Sequence, residues 1–171
     1  GNQMKGLKAI IGIGVLMAFA SCDTPVVEPD DKKDENDTEI VAQKVPVLDQ
    51  KKNVSDTLKM DEGIVIRWFE HGEGEFLERG SVYFVDFKVM LDNGEVVDGN
   101  HLLNMDSIPF PMGFQRQGKG WDLALAKLKV GDYVEIYIPS KYARGDQEIK
   151  GLIPANSNNT VKIRILNKMK P

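Results

Sequence analysis

Through much of the chain, apolar side chains fall on alternate residues, the spacing that turns one face of a β-strand toward a core. In "RGSVYFVDFKVMLDNGEVVDG", Tyr83, Val85 and Phe87 alternate with Val82, Phe84 and Asp86. That run ends at Asn93-Gly94, a dipeptide suited to a tight hairpin. "GIVIRWFEHGEG" reads as a strand entering a glycine-rich turn. "GDYVEIYIP" sets Val134, Ile136 and Ile138 against Tyr133, Glu135 and Tyr137. "NTVKIRILNKM" then places Val161, Ile163 and Ile165 on one face. Strands of this kind predict an antiparallel sheet with one face in solvent.

One stretch has another period. In "GKGWDLALAKLKVGD" (118–132), Trp121, Ala124, Leu125 and Leu128 fall at i, i+3, i+4 and i+7, a single apolar stripe on a helix. Gly120 and Gly131 bracket it, so the helix is short and would be marginal alone in water. It must lie against the sheet, with Trp121 at its N-terminal end. Leu48, Val54 and Leu58 in "LDQKKNVSDTLKM" fall loosely at helical spacing and predict a further short helix. The expected class is α+β, without internal repeats.

The N-terminal pattern differs again. Lys5 and Lys8 precede the apolar run "AIIGIGVLMAFA", which is short for a membrane span and is followed by the only cysteine, Cys22. The end "FASC" resembles a bacterial lipobox, with Phe19 where leucine is usual, so residues 1–21 are expected to be a lipoprotein signal peptide and Cys22 the lipidated residue. Met4 is a plausible start. "DTPVVEPDDKKDENDTE" follows, acidic and poor in large apolar groups, so residues 22–46 read as a flexible tether. An ordered domain is expected over 47–171.

Composition narrows the function classes. The chain has 171 residues, 42% hydrophobic and 28% charged, enough for one packed domain. Its net charge of −4 is uneven. Residues 23–39 hold eight acids against Lys32 and Lys33, whereas residues 63–171 balance at fourteen acids and fourteen bases. With no basic face in bulk, nucleic acid is not an expected partner. One cysteine excludes an internal disulfide. "GFQRQGKG" (113–120) nearly spells a phosphate-binding loop, but Gly120 stands where Ser or Thr must hold Mg²⁺. Pro109 and Pro111 before it would not suit a central parallel strand. His71 and His101 lack metal-ligand spacing and are expected at the surface, as are Glu73 and Glu75; no metal or cofactor is expected. The tripeptide "RGD" (144–146) is too short to carry an adhesive reading.

The order and spacing of "GEGEFLERGSVYFVDFKVMLDNGEVVDG", "IPFPMG", "GKGWDLALAKLKVGDYVEIYIPSKYARG" and "GLIPANSNNTVKIRIL" resemble FKBP-type peptidyl-prolyl isomerases over roughly residues 63–168. The resemblance implies a twisted antiparallel half-barrel wrapped around one short helix, with a pocket between them. By the same resemblance, Trp121 is the pocket floor, Asp98 the pocket aspartate, and Phe110, Tyr142 and Ile153 lie in or beside it. Asp98 could equally be a turn residue bonded to local backbone. Gly118 stands where the family usually has an isoleucine whose backbone N–H binds a substrate carbonyl. Phe87 replaces a tyrosine, Val97 a phenylalanine, Ile108 an aromatic residue, Gln117 an aliphatic one, Val161 a phenylalanine, and Arg144 a tyrosine that bonds ligands. The expected walls are therefore smaller and more polar, and Arg144 either admits water or pairs with Asp98.

The implied chemistry needs no acid, base or nucleophile. Rotation about an amide meets a barrier of roughly 18–20 kcal/mol, and the twisted state loses amide resonance and polarity. A dry apolar pocket favours that state, and a backbone N–H can hold the carbonyl. The expected activity is isomerisation of proline-containing polypeptides outside the cytoplasm by an envelope-anchored monomer. Two alternatives are a peptide-binding or chaperone module without turnover, and an assembly subunit with the pocket unused.

Overall fold

The computed structural model describes Leu48 and residues 52–171. The expected signal peptide, Cys22 and the acidic tether lie outside the described residues. The elements are β1 (Asp56–Lys59), β2 (Val65–Glu70), β3 (Val82–Met90), β4 (Val96–Gly99), β5 (Ile108–Pro111), α1 (Lys119–Leu125), β6 (Tyr133–Ile138) and β7 (Asn159–Lys168).

All strand pairs are antiparallel, and the sheet runs β1-β2-β6-β7-β3-β4, with β5 also on β3. Strand β3 organises it. One edge pairs with β7 over Tyr83–Met90. The other pairs first with β5 (Val82 to Val85) and then with β4 (Lys88 to Met90). Strands β4 and β5 thus share one edge, broken by the 3-10 turn Asn100–Leu103. Pro109 and Pro111 are tolerated because β5 is a four-residue edge strand. The hairpin at Asn93-Gly94 forms as expected, with Gly94 N–H donating to the Leu91 carbonyl at 2.9 Å.

Alternation places the core correctly. Tyr83, Val85 and Phe87 are buried, as are Val134, Ile136, Ile138, Val161, Ile163 and Ile165. Helix α1 closes this face with Trp121, Ala124 and Leu125, and Leu128 follows in the turn beyond it. Gly120 is required there, because a Cβ would lie 2.5 Å from Ile138 Cγ2 and 2.7 Å from the Tyr142 carbonyl oxygen.

Two expectations fail. No helix forms over 52–59; residues Asp56–Lys59 instead pair with the free edge of β2, and Val54 and Leu58 stay 46% and 36% exposed. Helical spacing means little when the apolar groups share no buried face. Nor is the second sheet face uniformly wet. Tyr133 on that face is 1% exposed, packs against Phe69, and donates its hydroxyl to the Leu48 carbonyl at 2.9 Å. Asp86 is buried as well.

Candidate functional site

Trp121 enters the core at the start of α1 and meets two aromatic rings carried by the sheet. Phe87 of β3 approaches edge-on, centroids 5.3 Å apart and planes at 86°. Phe110 of β5 stacks at 5.3 Å and 27°. Both geometries suit ring quadrupoles, and together they leave Trp121 only 2% exposed. Val161 is fully buried, while Ile108 and Tyr142 are partly buried against the same core.

A hollow of about 220 Å³ opens against the same core, sharing Val89, Val97 and Ile153 with it. Val89 and Val97 from β3 and β4 form one wall, and Ile149, Leu152 and Ile153 form another. Asp98, Gln117, Arg144 and Asn159 supply its polar lining. Five of the residues singled out in the sequence are therefore brought together: Val97, Asp98, Gln117, Arg144 and Ile153. Trp121, Phe87, Phe110, Ile108, Tyr142 and Val161 are not among the lining residues. Trp121, 2% exposed and in ring contact with Phe87 and Phe110, lies in the core and forms no open floor to this hollow.

Asp98 fills both roles the sequence left open. Its Oδ1 accepts the Gly99 N–H at 2.8 Å, and its Oδ2 accepts from Gln117 Nε2 at 3.2 Å. The partner across the hollow is thus Gln117. Among the described residues Arg144 makes no ion pair with Asp98 and remains exposed on the rim.

Gly118 is also corrected. Its φ is +102°, and a Cβ would lie 2.8 Å from the Ala143 carbonyl oxygen, so the turn itself excludes a larger residue. Its N–H donates to the Gln115 carbonyl at 3.1 Å. The expected substrate donor is already engaged. Asp122 fixes this turn, accepting Gly113 N–H at 3.0 Å and Gln115 N–H at 2.8 Å.

Sequence reasoning missed Val89, Ile149, Leu152 and Asn159 in the hollow. The repeated isoleucines of "IKGLI" were the available signal. Ile149 and Ile153 exchange two backbone hydrogen bonds of 2.8 Å across a tight turn that projects Leu152 into the hollow's lining. It also missed His101, whose Nε2 lies 2.8 Å from Oδ1 of buried Asp86. Asn100 donates to the same oxygen at 3.1 Å and accepts the Phe87 N–H at 2.8 Å, tying the β4–β5 break to β3. His71 stays largely exposed, stacked on Trp68. Among the described residues no three His, Cys, Asp or Glu side chains gather in metal-binding range.

Comparison with known proteins adds family and fold. The family model described as FKBP-type peptidyl-prolyl cis-trans isomerase matches residues 73–166. A "Peptidyl-prolyl cis-trans isomerase" of Saccharomyces cerevisiae is 33% identical over 118 residues, 69% of this chain and 28% of that protein. "FK506-binding protein 3" of Kluyveromyces lactis is 34% identical over 64% of this chain and 26% of its own length. The chain thus spans about a quarter of each of these two relatives. The shorter "FK506-binding protein 1" of Candida glabrata is 31% identical over 61% of this chain and 91% of its own length. The crystal structure of AtFKBP13 superposes with a TM-score of 0.61 at 24% identity, covering 67% of this chain and 99% of that one, which establishes the shared fold.

Proposed function

Because the chain belongs to the family of FKBP-type peptidyl-prolyl cis-trans isomerases, we propose that it accelerates rotation about Xaa–Pro bonds in polypeptides outside the cytoplasm, held at a bacterial envelope by a lipid on Cys22. The observation that carries the isomerase reading is the hollow against the core that holds Phe87, Trp121 and Phe110, with five aliphatic side chains lining it from two sides beside the polar Asp98, Gln117, Arg144 and Asn159. A prolyl ring suits Val89, Val97, Ile149, Leu152 and Ile153, which offer apolar surface without demanding hydrogen bonds. The twisted amide is less polar than the planar one, so this surface favours it over the ground state. Asp98, Gln117 and Arg144 remain to orient the flanking peptide.

The anchoring part rests on the charged start at Lys5 and Lys8, the apolar run behind it and the position of Cys22. Attachment would face either the periplasm or the cell exterior.

A second reading, a peptide-binding module without turnover, is favoured by one observation: the Gly118 N–H is engaged with Gln115. Exchange between cis and trans forms of a Leu-Pro peptide, followed by NMR with the detergent-solubilised full chain, separates the two. Accelerated exchange supports the isomerase; binding without acceleration supports the module.

A further inference from the structure

The isomerase reading leaves open which prolines are chosen, and a second hollow of about 330 Å³ bears on that choice. It shares Gln117 and Arg144 with the first, so the two meet along a common wall. Its lining chemistry is different. Beyond Gly118 and Ala143 it is lined by Arg116 and Arg144 and by Gln115, Gln117 and Gln147, whose side chains end in guanidinium and carboxamide groups. No carboxylate lines it. Both arginines are exposed, and among the described residues neither has an ion pair or a side-chain hydrogen bond. Asp98, the acid of the adjoining hollow, already accepts hydrogen bonds at both oxygens. Asp146 and Glu148 follow in the same loop but line neither hollow.

Arginine keeps its charge and presents a fork of donors that matches a carboxylate. An aliphatic side chain placed here would strip water from guanidinium and amide groups and return no hydrogen bond. Adjacent residues of a trans peptide have Cα atoms about 3.8 Å apart. Two hollows with a shared wall can therefore take neighbouring side chains of one extended substrate. We propose that the Arg116–Arg144 hollow binds an Asp or Glu side chain directly flanking the proline, making acidic prolyl segments the preferred substrates.

The proposal rests on the isomerase reading, and the test keeps the two apart. The full chain in non-ionic detergent is assayed by NMR exchange on peptides containing Leu-Pro-Phe, Glu-Pro-Phe, Lys-Pro-Phe and Leu-Pro-Glu. At low salt an acidic peptide should exceed the Leu-Pro-Phe reference in kcat/KM by about three- to fivefold, the scale of a partly exposed ion pair. The Lys-Pro-Phe peptide should fall below the reference, and the differences should shrink at molar salt. R116E combined with R144E should reverse the order of the glutamate and lysine peptides while leaving the circular-dichroism spectrum unchanged. Acidic peptides no better than the reference at low salt, or an order unmoved by the two substitutions, would overturn the proposal. If no peptide is turned over, the isomerase reading fails, and isothermal titration calorimetry with the same peptides still decides the preference. Tighter binding of an acidic peptide supports it; equal, weaker or absent binding rejects it.

Discussion

Position 118 shows how one residue redirects a site. A Cβ there would strike the Ala143 carbonyl, so the turn belongs to glycine, and the neighbouring Gln117 supplies the wall by reaching Asp98. Replacing Gln117 with Val frees Asp98 Oδ2 and makes the wall aliphatic. Activity on a Leu-Pro peptide should rise about threefold, the worth of roughly one buried methylene, with stability changed by no more than about 1 kcal/mol. Unchanged or lower kcat/KM would show that Gln117 itself contacts substrate productively. Trp121→Ala tests the supporting layer. Removing a ring packed by both Phe87 and Phe110 should cost about 3–5 kcal/mol in urea unfolding; a loss below about 1 kcal/mol would mean that the Trp121 site collapses without penalty. The identity of Trp121 as a central residue was legible from its place on the helical stripe. Its near-complete burial was not, because that depends on rings brought in by β3 and β5.

At the scale of elements, alternation revealed which faces of β3, β6 and β7 are buried, and helical spacing located α1. The same spacing misled over Leu48, Val54 and Leu58, because strand β1 exists through an available edge of β2 and not through its own apolar pattern. Hydrogen bonds from side chains to distant backbone were equally invisible. Asp122 is such a case, strapping the 113–115 turn beside the site. Asp122→Ala leaves two backbone donors without their acceptor and should cost about 1–3 kcal/mol, with faster hydrogen exchange at Gly113 and Gln115. Exchange unchanged at those amides would deny the strap. A second tie joins the end of β7 to the loop before β3: Lys168 Nζ lies 2.8 Å from Glu78 Oε2. Its hydrogen bond and charge lower the Glu78 pKa from the ordinary 4.5, while Glu78 raises that of Lys168 above 10.5. The Glu78 contribution is present above pH 4.5 and lost as pH falls through the depressed value. The Lys168 contribution is present below pH 10.5 and lost as pH rises through the elevated one. Carboxyl-carbon NMR should show Glu78 titrating below an ordinary glutamate, and Lys168→Met should move it back up. Both groups are exposed, so salt should weaken the shift.

For the whole molecule, the motif order indicated the antiparallel sheet and the one α-helix of the described residues, and the family model covers residues 73–166 of the same stretch. Function follows less directly, because the hollow is built by side chains whose directions no motif records. The proposed envelope location rests on sequence before the described residues and is tested separately. A cell expressing the chain should incorporate labelled palmitate into it, and Cys22→Ser should abolish the label and release the protein from the detergent phase; label retained by that variant would reject the anchor. The central claim is that this hollow turns prolyl bonds. Its most direct test is NMR exchange between the cis and trans forms of a Leu-Pro peptide with catalytic amounts of the full chain. The account predicts exchange well above the uncatalysed rate and a return toward that rate when Ile153→Arg fills the hollow in a chain that remains folded. An uncatalysed rate with the folded wild-type chain, or acceleration indifferent to the blocked hollow, would contradict it.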